Sequence, residues 1–466
     1  MPTVDLRSPA WAATIVVLAL CHAGTVLGVK LCTCMGCVGL SGPCVLMSGA
    51  DTALPGDEDA ADGDTTPSAE FRIGARWTST SSSRFDGSRG GPMNLTWSIV
   101  DDGTTIAGFE GTSGSDLVAM LNRRYGSGPT IATSPWFRLF EDSFNRWGEL
   151  SGLTFAYEPN DGGARIDNTS SPRGQPGVYA DLRVGGHSID GASGSNILAY
   201  NYFPPHGDMV LDTDNESFYG DRRGDSLRLR NVLMHEIGHG LGFNHLESSN
   251  ASFLMEPFIS VGFDGPQFDD ILAAHRNYGD ALEKNGGNDD HASATPIGVL
   301  SAGGAWSIGN DAGGARVQPN QTDFVSIDGT SDEDWFRFST PTLARASLSL
   351  LPRGPSYREG PQDGDQTTLN TRSLADLELG LFLEDPFGRN IAEVAESNVT
   401  GLGGAESVSQ ILILPGREYL VRVSSLTDQV QMYNLLLSLS PFVIPEPGAG
   451  FLLGLLGTIA LRGRSR

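Results

Sequence analysis

Cysteine is scarce in this chain and confined to one part of it. The 466 residues include five cysteines, and all of them lie before residue 45: Cys21, Cys32, Cys34, Cys37 and Cys44. The chain after residue 44 therefore cannot form a disulfide bond within itself, and its folded body must be stable without one. The cysteines at 32, 34 and 37 have no second cluster or nearby histidine to complete a tetrahedral ligand set, so a metal site there is the less favoured interpretation.

Basic residues are also few relative to acidic ones. The chain has 31 Lys and Arg against 56 Asp and Glu, which gives a net charge of -25. A surface this acidic repels a phosphate backbone, which argues against a nucleic-acid partner. It suits a soluble exported protein, and Asp-rich loops also suit calcium, so solubility and calcium binding both stay open for any single acidic loop.

Long apolar runs occur only towards the two ends. Near the first end, Arg7 precedes an apolar stretch over 11–29. A positive start followed by an apolar run is typical of a secretory signal, which we place at 1–30. An uncleaved N-terminal anchor is the alternative interpretation.

The last part of the chain has three features in a fixed order. Pro445-Glu446-Pro447 comes first, an apolar stretch over 448–461 follows, and three arginines stand within the final five residues. The apolar stretch is short for a membrane-spanning helix. The combination resembles the PEP-CTERM sorting tail of two-membrane bacteria. The resemblance implies export to the envelope or beyond, a transient membrane anchor at 442–466 and processing by exosortase-type machinery.

The length and the texture of the sequence predict two folded domains between these ends. Residues 31–69 are acidic and small, which predicts a disordered pro-segment or linker. From 70 to 282 strand patterns interleave with three helix patterns, beginning near Ser134, near Asp225 or Ser226, and at Phe268. A polar linker at 283–287 then leads into short alternating strands over 288–441, which predict an all-β antiparallel sandwich.

The stretch MHEIGHGLGFNHLE carries the chemistry. His235 and His239 are four residues apart, so a helix would place both imidazoles on one face and let them bind one zinc ion. Glu236 lies beside them and can take a proton from water. Gly242 can end the helix in a left-handed turn, which would return the chain and deliver His245 as a third ligand. The alternative is an ordinary helix with incidental histidines, and the complete motif favours the catalytic zinc site.

This pattern, HExxHxxGxxH, resembles that of the metzincin zinc peptidases, which carry a methionine turn below the metal. Met255 fits that turn, and Pro257 two residues on is similar to the matrixins. The resemblance implies a twisted, mostly parallel sheet with three helices at 70–282. Leu246 departs from the small hydroxyl residue that matrixins prefer after the third histidine. The chain also lacks the PRCGxPD latency motif, so the latency mechanism is open.

The upstream segment GGHSIDG…LDTDNES resembles the matrixin structural-metal segment. His187 matches its first zinc ligand, but Tyr200 and Val210 stand where two further histidines would be. The carboxylates remain, and hard oxygen ligands suit calcium. The predicted calcium or second-metal residues are therefore His187, Asp190, Asp208, Asp212 and Asp214. A solvated acidic turn is the alternative.

The later strands resemble the bacterial pre-peptidase C-terminal domain, chiefly at Asp332, Asp334 and Trp335. Together these features predict an exported zinc endopeptidase that acts on proteins or peptides of the envelope or the medium. A non-catalytic adhesin or matrix component on the same scaffold is the first alternative. An enzyme that cleaves only its own pro-segment is the second.

Overall fold

The structure is a computed structural model that describes residues 44–47, 72–82, 89–167, 173–191 and 197–443. All of these residues belong to one compact unit of the chain. The predicted signal, most of the acidic segment and nearly all of the predicted tail lie outside the described residues. Among the residues that are described, no helix is both long enough and apolar enough to cross a membrane.

The part of the chain up to residue 280 combines strands and helices. Its strands are β1 (Cys44–Met47), β2 (Met93–Ile99), β3 (Thr105–Gly108), β4 (Gly111–Gly114), β5 (Leu153–Tyr157), β6 (Leu182–His187), β7 (Ile197–Asn201), β8 (Met209–Asp212) and β9 (Leu246–Ser248). Its helices are α1 (Leu117–Tyr125), α2 (Phe137–Glu149), α3 (Glu216–Tyr219), α4 (Arg223–Gly240) and α5 (Phe268–Tyr278).

The main sheet of this part has the strand order β1-β7-β8-β6-β2-β5. The pairs β8–β6, β6–β2 and β2–β5 are parallel, whereas β1–β7 and β7–β8 are antiparallel. The sheet is thus mixed, because β7 runs in the opposite direction to the other five strands. The predicted helices correspond to α2, α4 and α5, and the structure adds α1 and the short α3.

Helix α2 connects the sheet to the helix that carries the histidines. Its aromatic residues at helical spacing are all buried, namely Phe137, Phe140, Phe144 and Trp147. The Phe144 ring stacks on Trp97 of β2 at a centroid distance of 4.6 Å. The Trp147 Nε1–H donates to the Met234 carbonyl oxygen at 2.9 Å. Each buried aromatic side chain contributes about 1.5–3 kcal/mol, so this stripe holds α4 firmly against the sheet.

Two larger sheets make up the part beyond residue 290. The strands are β10 (Thr295–Val299), β11 (Ala305–Ile308), β12 (Ser326–Ile327), β13 (Glu333–Ser339), β14 (Ala344–Pro352), β15 (Ser356–Pro361), β16 (Thr367–Asn370), β17 (Leu377–Glu384), β18 (Ile391–Ser397), β19 (Glu406–Ile413), β20 (Glu418–Ser425) and β21 (Gln431–Pro441). One sheet has the order β10-β13-β20-β17-β18, and the other has β11-β21-β14-β19 with β12 also on β21.

Alternating side chains of these two sheets share one apolar core. Strand β14 alternates between buried and half-buried residues along its whole length, and it contributes Leu348 and Leu350 to the same core as Phe336 and Phe338 of β13. This is the packing expected when two sheets bury one face each. The pairing is antiparallel apart from β10, which runs parallel to β13. The region is therefore β-rich as predicted, with one parallel pair that the strand patterns did not indicate.

The two parts of the chain pack on each other through α5. Phe268, Ile271 and Leu272 of α5 share an apolar cluster with Phe324 and Met432 of the later part. Hairpin β15–β16 makes a second connection, because β15 pairs with β9 in a three-stranded sheet of order β16-β15-β9. This pairing brings the later part to the strand that directly follows His245.

Candidate active site

Helix α4 and the turn after it bring the three histidines together. His235 and His239 lie one helical turn apart, and both are fully buried. Gly242 then has a φ of 97°, in the left-handed region that favours glycine. A Cβ atom at Gly242 would lie 1.6 Å from the Ala75 carbonyl oxygen, so only glycine fits this turn. The reversal returns the chain and places His245 beside the other two rings.

The three Nε2 atoms converge on one point. The separations are 2.9 Å between His235 and His239, 3.2 Å between His235 and His245, and 3.1 Å between His239 and His245. Nitrogen ligands at about 2.0–2.1 Å from a tetrahedral zinc lie about 3.3 Å from each other. The triad therefore fits a zinc site.

Hydrogen bonds on the far side of each ring set its protonation. The Nδ1–H of His235 donates to the Leu254 carbonyl at 2.6 Å, and that of His239 donates to the Phe243 carbonyl at 2.7 Å. Because a carbonyl oxygen can only accept, Nδ1 must carry the proton, and Nε2 keeps the lone pair that a metal needs.

Burial also keeps these rings neutral. Burial, with a further contribution from His245, holds the pKa of His235 well below its usual value. Burial, together with His235 and His245, lowers the pKa of His239 in the same direction. Neutral imidazole is the form that binds metal, so the protein presents its ligands without first having to remove a proton.

Glu236 and Met255 lie at the same place. Glu236 is fully buried between the two helical histidines in sequence. Met255 is buried on the Gly238 side of α4, where a Cβ at Gly238 would lie only 2.4 Å from its sulfur atom. Glycine at 238 thus lets the methionine pack directly against the helix that carries the triad.

Asp270 of α5 fixes the turn that contains Met255. Its carboxylate accepts from the Leu254 N–H at 2.8 Å, the Met255 N–H at 3.1 Å and the Gln267 N–H at 2.7 Å. Burial nonetheless raises the pKa of Asp270 to about 7. The carbonyl oxygen of Leu254 accepts from His235. Asp270 therefore supports the His235 ring through Leu254.

His187 makes protein contacts in the structure. Its Nε2 contacts the Glu110 carboxylate and its Nδ1 contacts the Ser113 hydroxyl. The Tyr200 hydroxyl donates to the same Glu110 carboxylate at 2.9 Å. Both ring nitrogens of His187 are thus engaged by side chains of the β3–β4 hairpin.

Three of the four predicted acidic ligands lie near each other. Burial, with contributions from Asp190 and Asp214, raises the pKa of Asp212 to about 6. Asp208 lies apart, at the opposite end of β8, where it accepts from the Arg183 N–H at 3.1 Å. Among the described residues, these aspartates do not form a group of three with ligand atoms within 4.8 Å.

A second acidic cluster lies where the two parts of the chain meet. Ligand atoms of Glu283, Asp289 and Asp332 lie within 4.8 Å of one another. Asp332 Oδ1 and Asn288 Oδ1 are buried and accept no hydrogen bond from the described residues, whereas Asp332 Oδ2 accepts from the Asp328 N–H at 2.7 Å. Burial, followed by the charge of Asp334, raises the pKa of Asp332 well above its usual value. The sequence signal was the Asp332-x-Asp334 pair, but its partners at 283–289 could not be found from spacing.

Residues 126–279 match the family model Peptidase_M10, the matrixins. This segment contains the triad, Glu236 and Met255, so the part of the chain that holds the site is similar to the matrixins. The match covers less than half of the chain.

Curated relatives agree with the family match. Karilysin of Tannerella forsythia is 29% identical over 197 residues, which are 40% of this chain and 38% of that protein. Human matrix metalloproteinase-25 is 32% identical over 129 residues, 26% of this chain and 20% of that protein. The Arabidopsis thaliana metalloendoproteinase 2-MMP is 31% identical over 130 residues, 27% of this chain and 31% of that protein. The chain thus spans between a fifth and two fifths of these relatives.

Several solved structures are similar to about a third of the chain at low identity. The pre-peptidase C-terminal domain of a collagenase from Bacillus anthracis is 11% identical, and the alignment covers 32% of this chain and 96% of that domain with a TM-score of 0.17. A score this low does not establish a shared fold.

One contact of the site had no signal in the sequence. The His245 Nδ1–H donates to the Gln362 side-chain oxygen at 2.7 Å, across 117 positions of the chain. Gln362 follows β15 directly. No residue spacing links a glutamine in the β-rich part to a histidine motif, so only the fold shows this partner.

Proposed function

We propose that this chain is an exported zinc-dependent endopeptidase that hydrolyses proteins or peptides of the cell envelope or the medium. The observation that carries the proposal is the convergence of the Nε2 atoms of three buried imidazoles beside the buried Glu236, within a segment that matches the matrixins. His235, His239 and His245 would hold the zinc ion.

Bound zinc supplies a Lewis acid, which lowers the pKa of water and polarises a carbonyl oxygen. The residues of the chain supply the proton transfer and the geometry. Glu236 takes the proton from the attacking water and then delivers it to the leaving amine nitrogen. Leu254 and Phe243 hold the rings of His235 and His239 in the required tautomer through their carbonyl oxygens. Met255 supports the helix from below.

Removal and return of the metal test this proposal. Zinc-loaded protein is expected to cleave casein, chelator-treated protein to lose the activity, and added zinc to restore it. A protein that binds zinc at the triad but cleaves neither casein nor its own pro-segment would instead support the adhesin alternative. Mass spectrometry of purified protein separates the self-cleaving alternative, because that enzyme would trim its own chain and leave casein intact.

Calcium is proposed at Asp190, Asp212 and Asp214, because carboxylates supply hard oxygen ligands and because Asp190 and Asp214 add to the effect of burial in raising the pKa of Asp212. His187 and Asp208 belong to the proposal only through the family resemblance, since the structure engages them with Glu110 and Arg183.

Export, exosortase-type processing and a transient anchor rest on sequence segments outside the described residues. The role of 288–441 as a pre-peptidase C-terminal domain likewise rests on the sequence resemblance. Mass spectrometry of the exported protein tests the first group, because processing predicts loss of the segment after 442 and of the segment before about 30. Detection of the intact chain outside the cell would support export and contradict the processing at both ends.

A further inference from the structure

The β-rich part of the chain reaches the zinc site through hairpin β15–β16. Strand β15 pairs with β9 in antiparallel register, with Glu359 opposite Ser248 and Pro361 opposite Leu246. Leu246 is the residue after His245, so the strand pairing begins next to the third histidine. Backbone pairing at this point fixes the position of the hairpin end relative to the imidazole.

A buried ionic cluster holds the base of the hairpin in place. Arg72 contacts the carboxylates of both Asp269 on α5 and Glu359 on β15, and all three side chains are at most 3% exposed. Burial alone would lower the pKa of Arg72, but the two carboxylates outweigh it and raise the pKa. The Tyr357 hydroxyl donates to Asp269 at 2.5 Å, and its ring packs on Phe253 at 4.8 Å.

The end of the hairpin places the Gln362 side chain at the Nδ1 edge of the His245 ring. Gln362 follows the last residue of β15, and its side-chain oxygen accepts from His245 Nδ1 at 2.7 Å. The other two histidines obtain the equivalent hydrogen bond from backbone carbonyls close to them in sequence, Leu254 and Phe243. The Nδ1–H of His245 donates instead to a side chain of the β-rich part of the chain.

We propose that Gln362 is a positioning residue for the third zinc ligand, so that the β-rich part of the chain completes the metal site. This inference rests on the proposed zinc function. The amide oxygen holds the proton on Nδ1, keeps the Nε2 lone pair free for zinc, and sets the rotation of the ring. Partners of this kind are worth about 10–100-fold in metal affinity.

The test measures the zinc affinity of the full chain. Gln362→Met keeps the side-chain length but replaces the amide oxygen with a weakly accepting sulfur. Gln362→Glu restores a strong acceptor. Gln366→Met is the matched control, because Gln366 lies in the same hairpin and its amide oxygen accepts only from the Ser249 hydroxyl at 3.0 Å in the described structure. Zinc binding is measured by competition with a chromophoric chelator, and far-UV circular dichroism checks the fold of each variant.

Gln362→Met is expected to weaken zinc binding by about 10–100-fold, whereas Gln362→Glu and Gln366→Met stay within about threefold of wild type. Equal zinc affinity of Gln362→Met and wild type would overturn the inference and leave the zinc site itself standing. An equal loss in both methionine variants would also overturn it, because the hairpin rather than the hydrogen bond would then matter. If Gln362→Met does not fold, failure of Gln362→Glu to retain zinc decides against the proposal. Absence of zinc from the wild-type triad would refute the proposed function instead.

Discussion

The turn at Gly242 offers a sharp test of how the site is built. The residue has a φ of 97°, and a Cβ there would lie 1.6 Å from the Ala75 carbonyl oxygen. Gly242→Ala must therefore bear left-handed strain and also displace the backbone at 74–76, which donates the Gly74 N–H to the Gly242 carbonyl at 2.7 Å. Strain of this kind costs about 1–3 kcal/mol and overpacking about 1–3 kcal/mol more.

We expect Gly242→Ala to lower the free energy of unfolding by about 2–6 kcal/mol, the sum of these two contributions. Gly103→Ala is the matched control, because Gly103 has a φ of 91° and no atom within 4 Å of an added Cβ. It bears the strain without the overlap, so it should lose only about 1–2 kcal/mol. The assay is denaturant unfolding of zinc-free protein, followed by zinc titration of each variant.

The comparison of the two alanine variants decides the question. Gly242→Ala should also bind zinc at least about tenfold more weakly, because the turn that delivers His245 must shift. Equal destabilisation by the two substitutions, or unchanged zinc affinity of Gly242→Ala, would refute the argument that this glycine closes the turn.

Two further predictions concern carboxylates. Burial raises the pKa of Glu256 to about 8. Between the pKa of the unfolded chain and this value, the folded state holds a proton that the unfolded chain has released. The stability from this group is therefore greatest below about pH 4.5 and declines as the pH rises towards 8. Glu256→Gln should remove up to about 1 kcal/mol of that decline per pH unit. The free energy of unfolding is measured at pH 5, 6 and 7 for wild type and variant, and parallel plots of this free energy against pH would contradict the prediction. Calcium at 100 times its dissociation constant should stabilise the wild type by about 2.7 kcal/mol, and Asp212→Asn should reduce this gain. A calcium-independent melting temperature of the wild type would rule out the proposed site.

The arrangement of the three histidines was predictable because its determinants are local. His235 and His239 depend on helical spacing, and the sharp turn at Gly242 depends on one residue type, so the motif already contains its geometry. Strands β2, β5 and β6 and helix α2 also follow from period and aromatic spacing. Ser134 shows the limit of such local patterns. The sequence predicts the start of α2 near Ser134, but the helix begins at Phe137. The Ser134 hydroxyl instead donates to the Thr130 carbonyl in the preceding turn.

The contacts that join distant parts of the chain were not predictable. Gln362 meets His245 only because β15 adds to β9, and the pairing of β15 with β9 depends on the packing of α5 against the β-rich part. The partners of Asp332 at 283–289 depend on the same packing. Periodicity describes one element at a time, so it cannot indicate which polar side chains two packed elements bring together.

The proposed endopeptidase function requires Glu236 to transfer a proton at a zinc ion held by the three histidines. Its most direct test is the kcat/KM for an unstructured peptide, measured for wild type and Glu236→Ala at equal zinc content, with Glu141→Gln at an exposed position of α2 as the control. We expect kcat/KM to fall about 10²–10⁴-fold in Glu236→Ala and to stay unchanged in the control. Cleavage by zinc-loaded Glu236→Ala at the wild-type rate would contradict it.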